Sequence, residues 1–129
     1  MLKDSAVIST MPVVDLHEAR GFYEEKLGLE PGPATTDESA HYICGQGTQF
    51  QLYQRPTPTQ ADHTALGFHV SNFDEAFNEL QQAGVQFEVY DRPEVKTDER
   101  GVATDENGNR TAWFKDPAGN VLAIGELNM

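Results

Sequence analysis

Cysteine, basic residues and tryptophan are what this sequence has least of: one Cys, 9 Lys plus Arg, and one Trp in 129 residues. A lone Cys44 cannot close an internal disulfide, so no covalent staple supports the fold. That suits a reducing compartment. The opening MetLeuLysAspSerAla also lacks the apolar core of a secretion signal, and a cytoplasmic location is expected. The 9 bases face 21 acids, for a net charge of −12. A phosphate backbone needs the opposite sign, so nucleic acid is not an expected partner. An anionic membrane surface is repelled for the same reason, and no apolar run approaches the roughly 20 residues that span a bilayer. The charge favours steering of small cationic molecules, or simply coats the surface for solubility. There is no Gly-rich phosphate loop, serine elbow or paired-cysteine motif.

What is present reads as a faint internal repeat. A first unit, about 1–54, opens with the strand Ala6–Met11. Asp15 caps a helix with Glu18 three residues on. Leu16, Ala19, Tyr23 and Leu27 form its apolar stripe, and Gly28 ends it. Strands follow at Ala40–Cys44 and Thr48–Tyr53, joined through GlyGlnGly (45–47). Residues 55–63 are polar and carry two prolines, and read as a connector. A second unit, about 64–129, repeats the order. It has a strand at Ala65–Val70 and a helix capped by Asn72 with Glu75 behind it. Phe73, Ala76 and Leu80 make the stripe, and Gly84 the stop. Strands are then expected at Val85–Tyr90, near Val102, at Arg110–Lys115 and at Val121–Glu126. AsnGly (107–108) and AspProAlaGlyAsn (116–120) mark turns. The charged stretch Asp91–Arg100 is expected as a solvated loop, or one that covers a cleft. Setting Asp15 over Asn72 superposes the two stripes.

Strand alternation sorts the faces. Phe50, Leu52, Leu66, Phe68, Val70, Leu122 and Ile124 are expected under the helices. The opposite face carries Gln49, Gln51, Tyr53, Ala65, Gly67, His69, Val121 and Ala123, with Ile8 and Thr10. That mixture of small and polar groups suits a ligand-binding concavity where the two units meet.

ValValAspLeuHisGluAlaArgGlyPheTyrGluGluLysLeuGlyLeu (13–29) and PheLysAspProAlaGlyAsnValLeu (114–122) resemble the vicinal oxygen chelate superfamily, which includes glyoxalase I, bleomycin-resistance proteins and extradiol dioxygenases. The resemblance implies an α+β fold: two βαβββ modules forming one domain, an incomplete barrel around a cup-shaped cavity. It also implies a homodimer. Enzymes of the family place a divalent metal on four framing strands. Carried over residue by residue, those positions are Ile8, Gln51, Ala65 and Ala123. Isoleucine and alanine offer no lone pair, and Gln51 alone is a weak ligand. No cofactor is therefore expected.

Other candidates are weighed beside that set. His17 is expected on the exposed side of the first helix. His63 and His69 share a face but lie about 20 Å apart at about 3.3 Å per residue, too far for one ion. His41 is on a neighbouring strand. If Phe114 packs under a helix, Trp113 faces the cup or a partner subunit. Cys44 has no neighbouring base to activate it and reads as a buried, inert thiol. The expected ligand-binding residues are thus Gln51, Tyr53, His69, Trp113, Thr10 and His41. The expected function is metal-free capture of a small molecule, cationic or aromatic, similar to the antibiotic-sequestering bleomycin-resistance branch. Three alternatives stand beside it. They are a lyase or dioxygenase with a relocated metal, a metal-free isomerase using His69 or His41 as base, and a scaffold with a filled cup.

Overall fold

The N-terminal half begins with β1 (Ser9–Val13), in which Met11 and Val13 are buried. α1 (Leu16–Gly21) follows, capped by Asp15, whose side chain accepts from the Glu18 amide at 3.1 Å. This is the cap that Asp, a short acceptor ahead of an apolar stripe, provides. The helix does not run on regularly to Leu27. It widens into a π turn at Phe22–Lys26, closed by Leu27 N–H donating to the Phe22 carbonyl at 3.2 Å. Gly28, at φ +73°, then stops it, and Leu29 N–H reaches back to the Tyr23 carbonyl at 3.1 Å. β2 (Ser39–Ile43) and β3 (Gln49–Gln54) complete a sheet of order β1-β3-β2. The computed structural model describes residues 1–126.

The C-terminal half repeats this with more strands. β4 (Thr64–His69) leads to α2 (Phe73–Gln82), capped by the Asn72 side chain at 3.1 Å from the Glu75 amide. β5 (Val102–Thr104), β6 (Arg110–Lys115) and β7 (Val121–Gly125) then form a sheet of order β4-β7-β6-β5. Each half pairs its first strand parallel to its last, and the registers correspond. Thr10 sits opposite Gln51 in one sheet, and Gly67 opposite Ala123 in the other. The superposition of Asp15 on Asn72 read from the sequence predicts that correspondence. The architecture is therefore mixed α+β, two modules whose sheets do not close into a barrel.

Two expectations need correction. The first strand is Ser9–Val13 rather than Ala6–Met11, which leaves Ile8 outside it and 47% exposed. Val85–Tyr90 is not a strand. The edge of β6 it would pair with is already divided: Val102–Thr104 takes Thr111 and its neighbours, leaving only a bridge from Phe87 to Phe114. Gly101 at φ +95° keeps the chain tight there, since a Cβ would lie 2.7 Å from the Glu88 carbonyl oxygen. Residues beyond the bridge turn back as a small hairpin, with Asp91 opposite Lys96 and Tyr90 bonded to Thr97.

The helix-covered faces meet in one core. Phe50 packs edge-on against Phe68 at 6.2 Å between ring centroids, and Phe22 reaches Phe114 at 6.3 Å. A buried polar lock joins the halves as well. Asp116, 4% exposed, accepts from the Tyr23 hydroxyl at 2.7 Å, the Asn120 side-chain amide at 2.9 Å and the Ala118 and Asn120 backbone amides at 2.9 Å each. Asn120 also donates to the Pro12 carbonyl at 2.8 Å. Burial, and then the neighbouring Asp116 carboxylate, push the Tyr23 hydroxyl far above the ordinary tyrosine value, so it remains a donor. The AspProAlaGlyAsn run, read from sequence only as a turn, is thus the clasp between the modules.

Candidate functional site

Where the halves meet, a cavity of about 540 Å³ opens between the start of β1, the β2–β3 turn and β4. The first half supplies Val7, Ser9, Cys44, Gln49 and Phe50, and the second supplies Leu66, Gly67, Phe68 and His69. Alternation along β4 explains the mixture, because Gly67 and His69 lie on the helix-free side and Leu66 and Phe68 on the core side. The cavity looks along the junction and so receives both. Gly67 leaves room, since a Cβ there would meet nothing within 4 Å. Gln49 is fixed by a 2.7 Å hydrogen bond between its Oε1 and His41 Nε2. Burial pushes the Cys44 thiol above its ordinary value, which fits the inert role expected of it.

The six expected ligand-binding residues are divided among different places. His69 lines the junction cavity. His41 does not. It is 9% exposed and buried behind Gln49, with its Nδ1 lacking a hydrogen-bond partner and packed where a Cβ on Gly32 would come within 2.7 Å. Thr10, Gln51 and His41 stand side by side across β1, β3 and β2 in one row of the first sheet. Tyr53 follows on the same face of β3 and pairs with Pro12 and Ser39. The corresponding row of the second sheet is Gly67, Ala123 and Trp113.

Phe114 is in the core at 1% exposure, and Trp113 takes the other face. Its indole N–H donates to the Thr64 hydroxyl at 3.0 Å, and Tyr90 packs edge-on to it at 5.7 Å. Arg92 lies 4.9 Å over the Tyr90 ring. Together with His63 and Val121 they line a second cavity of about 320 Å³. Tyr90, Arg92 and Thr64 escape the sequence reading. The sequence pattern puts Tyr90 in a strand that does not form, and Thr64 enters through a bulge. Thr64 pairs with Val121, Leu66 with Leu122, and Ala65 is left between them without a partner.

The divalent metal that the resemblance implies does not fit these residues. Ile8 is outside β1, Ala65 sits at the bulge, and Ala123 is 6% exposed. None of the three has a donor atom, and Gln51 has neighbours Thr10 and His41 rather than a carboxylate. Among the described residues, no three His, Cys, Asp or Glu side chains gather where they would hold a metal ion.

Two open sheets, each with a helix of its own half packed on it, built from a repeated unit with a cavity at the junction, define a class of binding and catalytic folds rather than one activity. A model of the Glyoxalase/Bleomycin resistance protein/Dioxygenase superfamily matches residues 6–124, and the chain belongs to that superfamily. Solved structures share the fold. A glyoxalase/bleomycin resistance protein from Catenulispora acidiphila is 23% identical over 95% of this chain and 98% of its own, with a TM-score of 0.70. A lactoylglutathione lyase from Agrobacterium tumefaciens is 19% identical over 96% and 95%, with a TM-score of 0.71. A glyoxalase/bleomycin resistance protein/dioxygenase from Alicyclobacillus acidocaldarius is 18% identical over 98% and 93%, with a TM-score of 0.72. No curated protein matches. Among the described residues, no helix is long and apolar enough to cross a membrane.

Proposed function

We propose that this protein captures a small organic molecule directly with its own side chains, without a metal, in the cavity between its halves. The observation that carries this reading is the composition of that cavity. Gln49 and His69 offer hydrogen bonds, Phe50, Leu66 and Phe68 offer apolar contact, and Gly67 leaves room for a ligand. Three of the four positions that would carry a metal, Ile8, Ala65 and Ala123, are hydrocarbon. The net charge of −12 attracts a cationic guest, and Phe50 and Phe68 offer an aromatic one a packing surface. Antibiotic sequestration in the cytoplasm by a homodimer is the finer form of this proposal. The names of the similar structures, two of which include the words bleomycin resistance protein, support it only as far as the shared fold does.

The test is a thermal-shift screen of cationic and aromatic antibiotics and metabolites, run with EDTA and again with added divalent ions. A ligand at 100 times its Kd stabilises by about 2.7 kcal/mol. The expected result is a rise in Tm that persists in EDTA and disappears in Gly67→Leu, which fills the cavity from a position where a Cβ has space. A shift that requires the divalent ion, or that survives Gly67→Leu unchanged, overturns the proposal. Because His69 lines the same cavity, a metal-free isomerase using it as base is the second reading. Exchange of a substrate proton with deuterated solvent, lost in His69→Gln, distinguishes it from capture alone.

A further inference from the structure

On the core side of the second sheet, under the helices, lies a hollow of about 310 Å³ that shares only Phe68 with the lining of the junction cavity. Its floor is Phe68, Val70, Phe114 and Ile124 from β4, β6 and β7, and Ala76 and Leu80 of α2 form one wall. The opposite wall is built by the irregular end of the first helix. The π turn and the positive φ of Gly28 bring Leu27 and Leu29 round to the same side, where both remain only partly buried. Phe68, Val70, Ala76 and Leu80 are likewise partly buried against the core. Apolar surface kept in contact with water in a concavity forgoes about 25 cal/mol per Å², which an apolar guest would recover.

The mouth is charged. Glu25 and Glu79 line it, and neither carboxylate has a hydrogen-bond or ion-pair partner among the described residues. Lys26 also contributes to the wall, but its ammonium points elsewhere. It lies 6.0 Å from the centroid of the Phe22 ring and 3.7 Å from where a Cβ on Gly84 would be, and Phe22 and Gly84 line a different hollow. The uncompensated charge at this opening is therefore negative.

We infer that this inter-helix hollow is a second ligand site, specific for a hydrophobic organic cation: an aliphatic or aryl-alkyl ammonium whose apolar body fills the space above Phe68 and Ile124 and whose head sits between Glu25 and Glu79. It meets the junction cavity only at Phe68 and does not depend on the function proposed for that cavity. The probe is 4-phenylbutylammonium, with 4-phenylbutanol as its neutral counterpart, titrated into the protein and followed by amide chemical shifts. The ammonium should perturb Gly28, Leu29, Ala76 and Leu80, leave Ser9 and Gln46 in place, and bind at least fivefold more tightly than the alcohol. Glu25→Gln with Glu79→Gln, two exposed changes, should remove that preference and leave alcohol binding as it was. Gly67→Leu should have no effect. Equal affinity for ammonium and alcohol, shifts at the junction instead, or a preference that survives the double substitution overturns the inference.

Discussion

The two halves of this chain use one backbone plan with opposite chemistry, and the contrast is plainest at corresponding turns. In the second half the turn after β6 runs from Asp116 to Asn120, and Asp116 N–H donates to the Asn120 carbonyl at 3.0 Å. In the first half the turn after β2 runs from Cys44 to Thr48, and Cys44 N–H donates to the Thr48 carbonyl at 2.7 Å. One turn holds a buried carboxylate that clasps the other module. The other holds a half-buried thiol facing the junction cavity. The same is true of the helix-free rows, where Thr10, Gln51 and His41 stand against Gly67, Ala123 and Trp113. Repetition fixes where a side chain stands. It leaves open whether that side chain locks the fold or meets a ligand.

The contrast predicts unequal consequences. Asp116→Ala should have the largest effect, about 3 kcal/mol or more in urea unfolding, because it strands a buried hydroxyl, a side-chain amide and two backbone amides at once. Tyr23→Phe should cost less, about 1.5 kcal/mol, since it removes one charge-assisted bond and leaves Asp116 three partners. It should also flatten the alkaline limb of stability. The folded hydroxyl titrates far above its ordinary value of 10.0, so its contribution is complete below about pH 10 and lost as pH rises beyond it.

A smaller effect is expected at Glu24, held below the ordinary carboxylate value chiefly by its hydrogen bond from Arg20 at 2.7 Å. A depressed carboxyl stabilises above its unfolded value of 4.5 and loses that contribution as pH falls through the folded one. Arg20→Met should shrink the acid-side slope of stability below about pH 4.5, because it lowers neutral stability by a small amount, under about 1 kcal/mol as for other surface pairs, and leaves stability in strong acid unchanged. Cys44→Ala should be the mildest, under about 1 kcal/mol by the same unfolding measurement. If it matched Asp116→Ala, the division of labour between the two turns would be wrong.

Much of the fold was legible because its signals are local. A cap at Asp15 or Asn72, a stripe at helical spacing and a glycine at the helix end each depend on residues within a few positions, and the structure keeps them. The site was legible only in pieces. His69 was found on a cavity wall, but His41 is buried and Trp113 belongs to another cavity. Tyr90 was hidden by a strand reading that ignored how little of the β6 edge is free. Whether Thr64 or Ala65 faces Val121 depends on a bulge that alternation cannot register.

The sequence by itself therefore determined the repeated unit, its cap-to-stop helices, the sorting of each strand into an apolar and a helix-free face, and the absence of ligating atoms at Ile8, Ala65 and Ala123. The tertiary structure decided what those faces meet. Asp116 finds Tyr23 across 93 residues of chain, and no pattern of near neighbours encodes such a contact. It arises when two halves dock, and docking is settled by the summed fit of many side chains in one core.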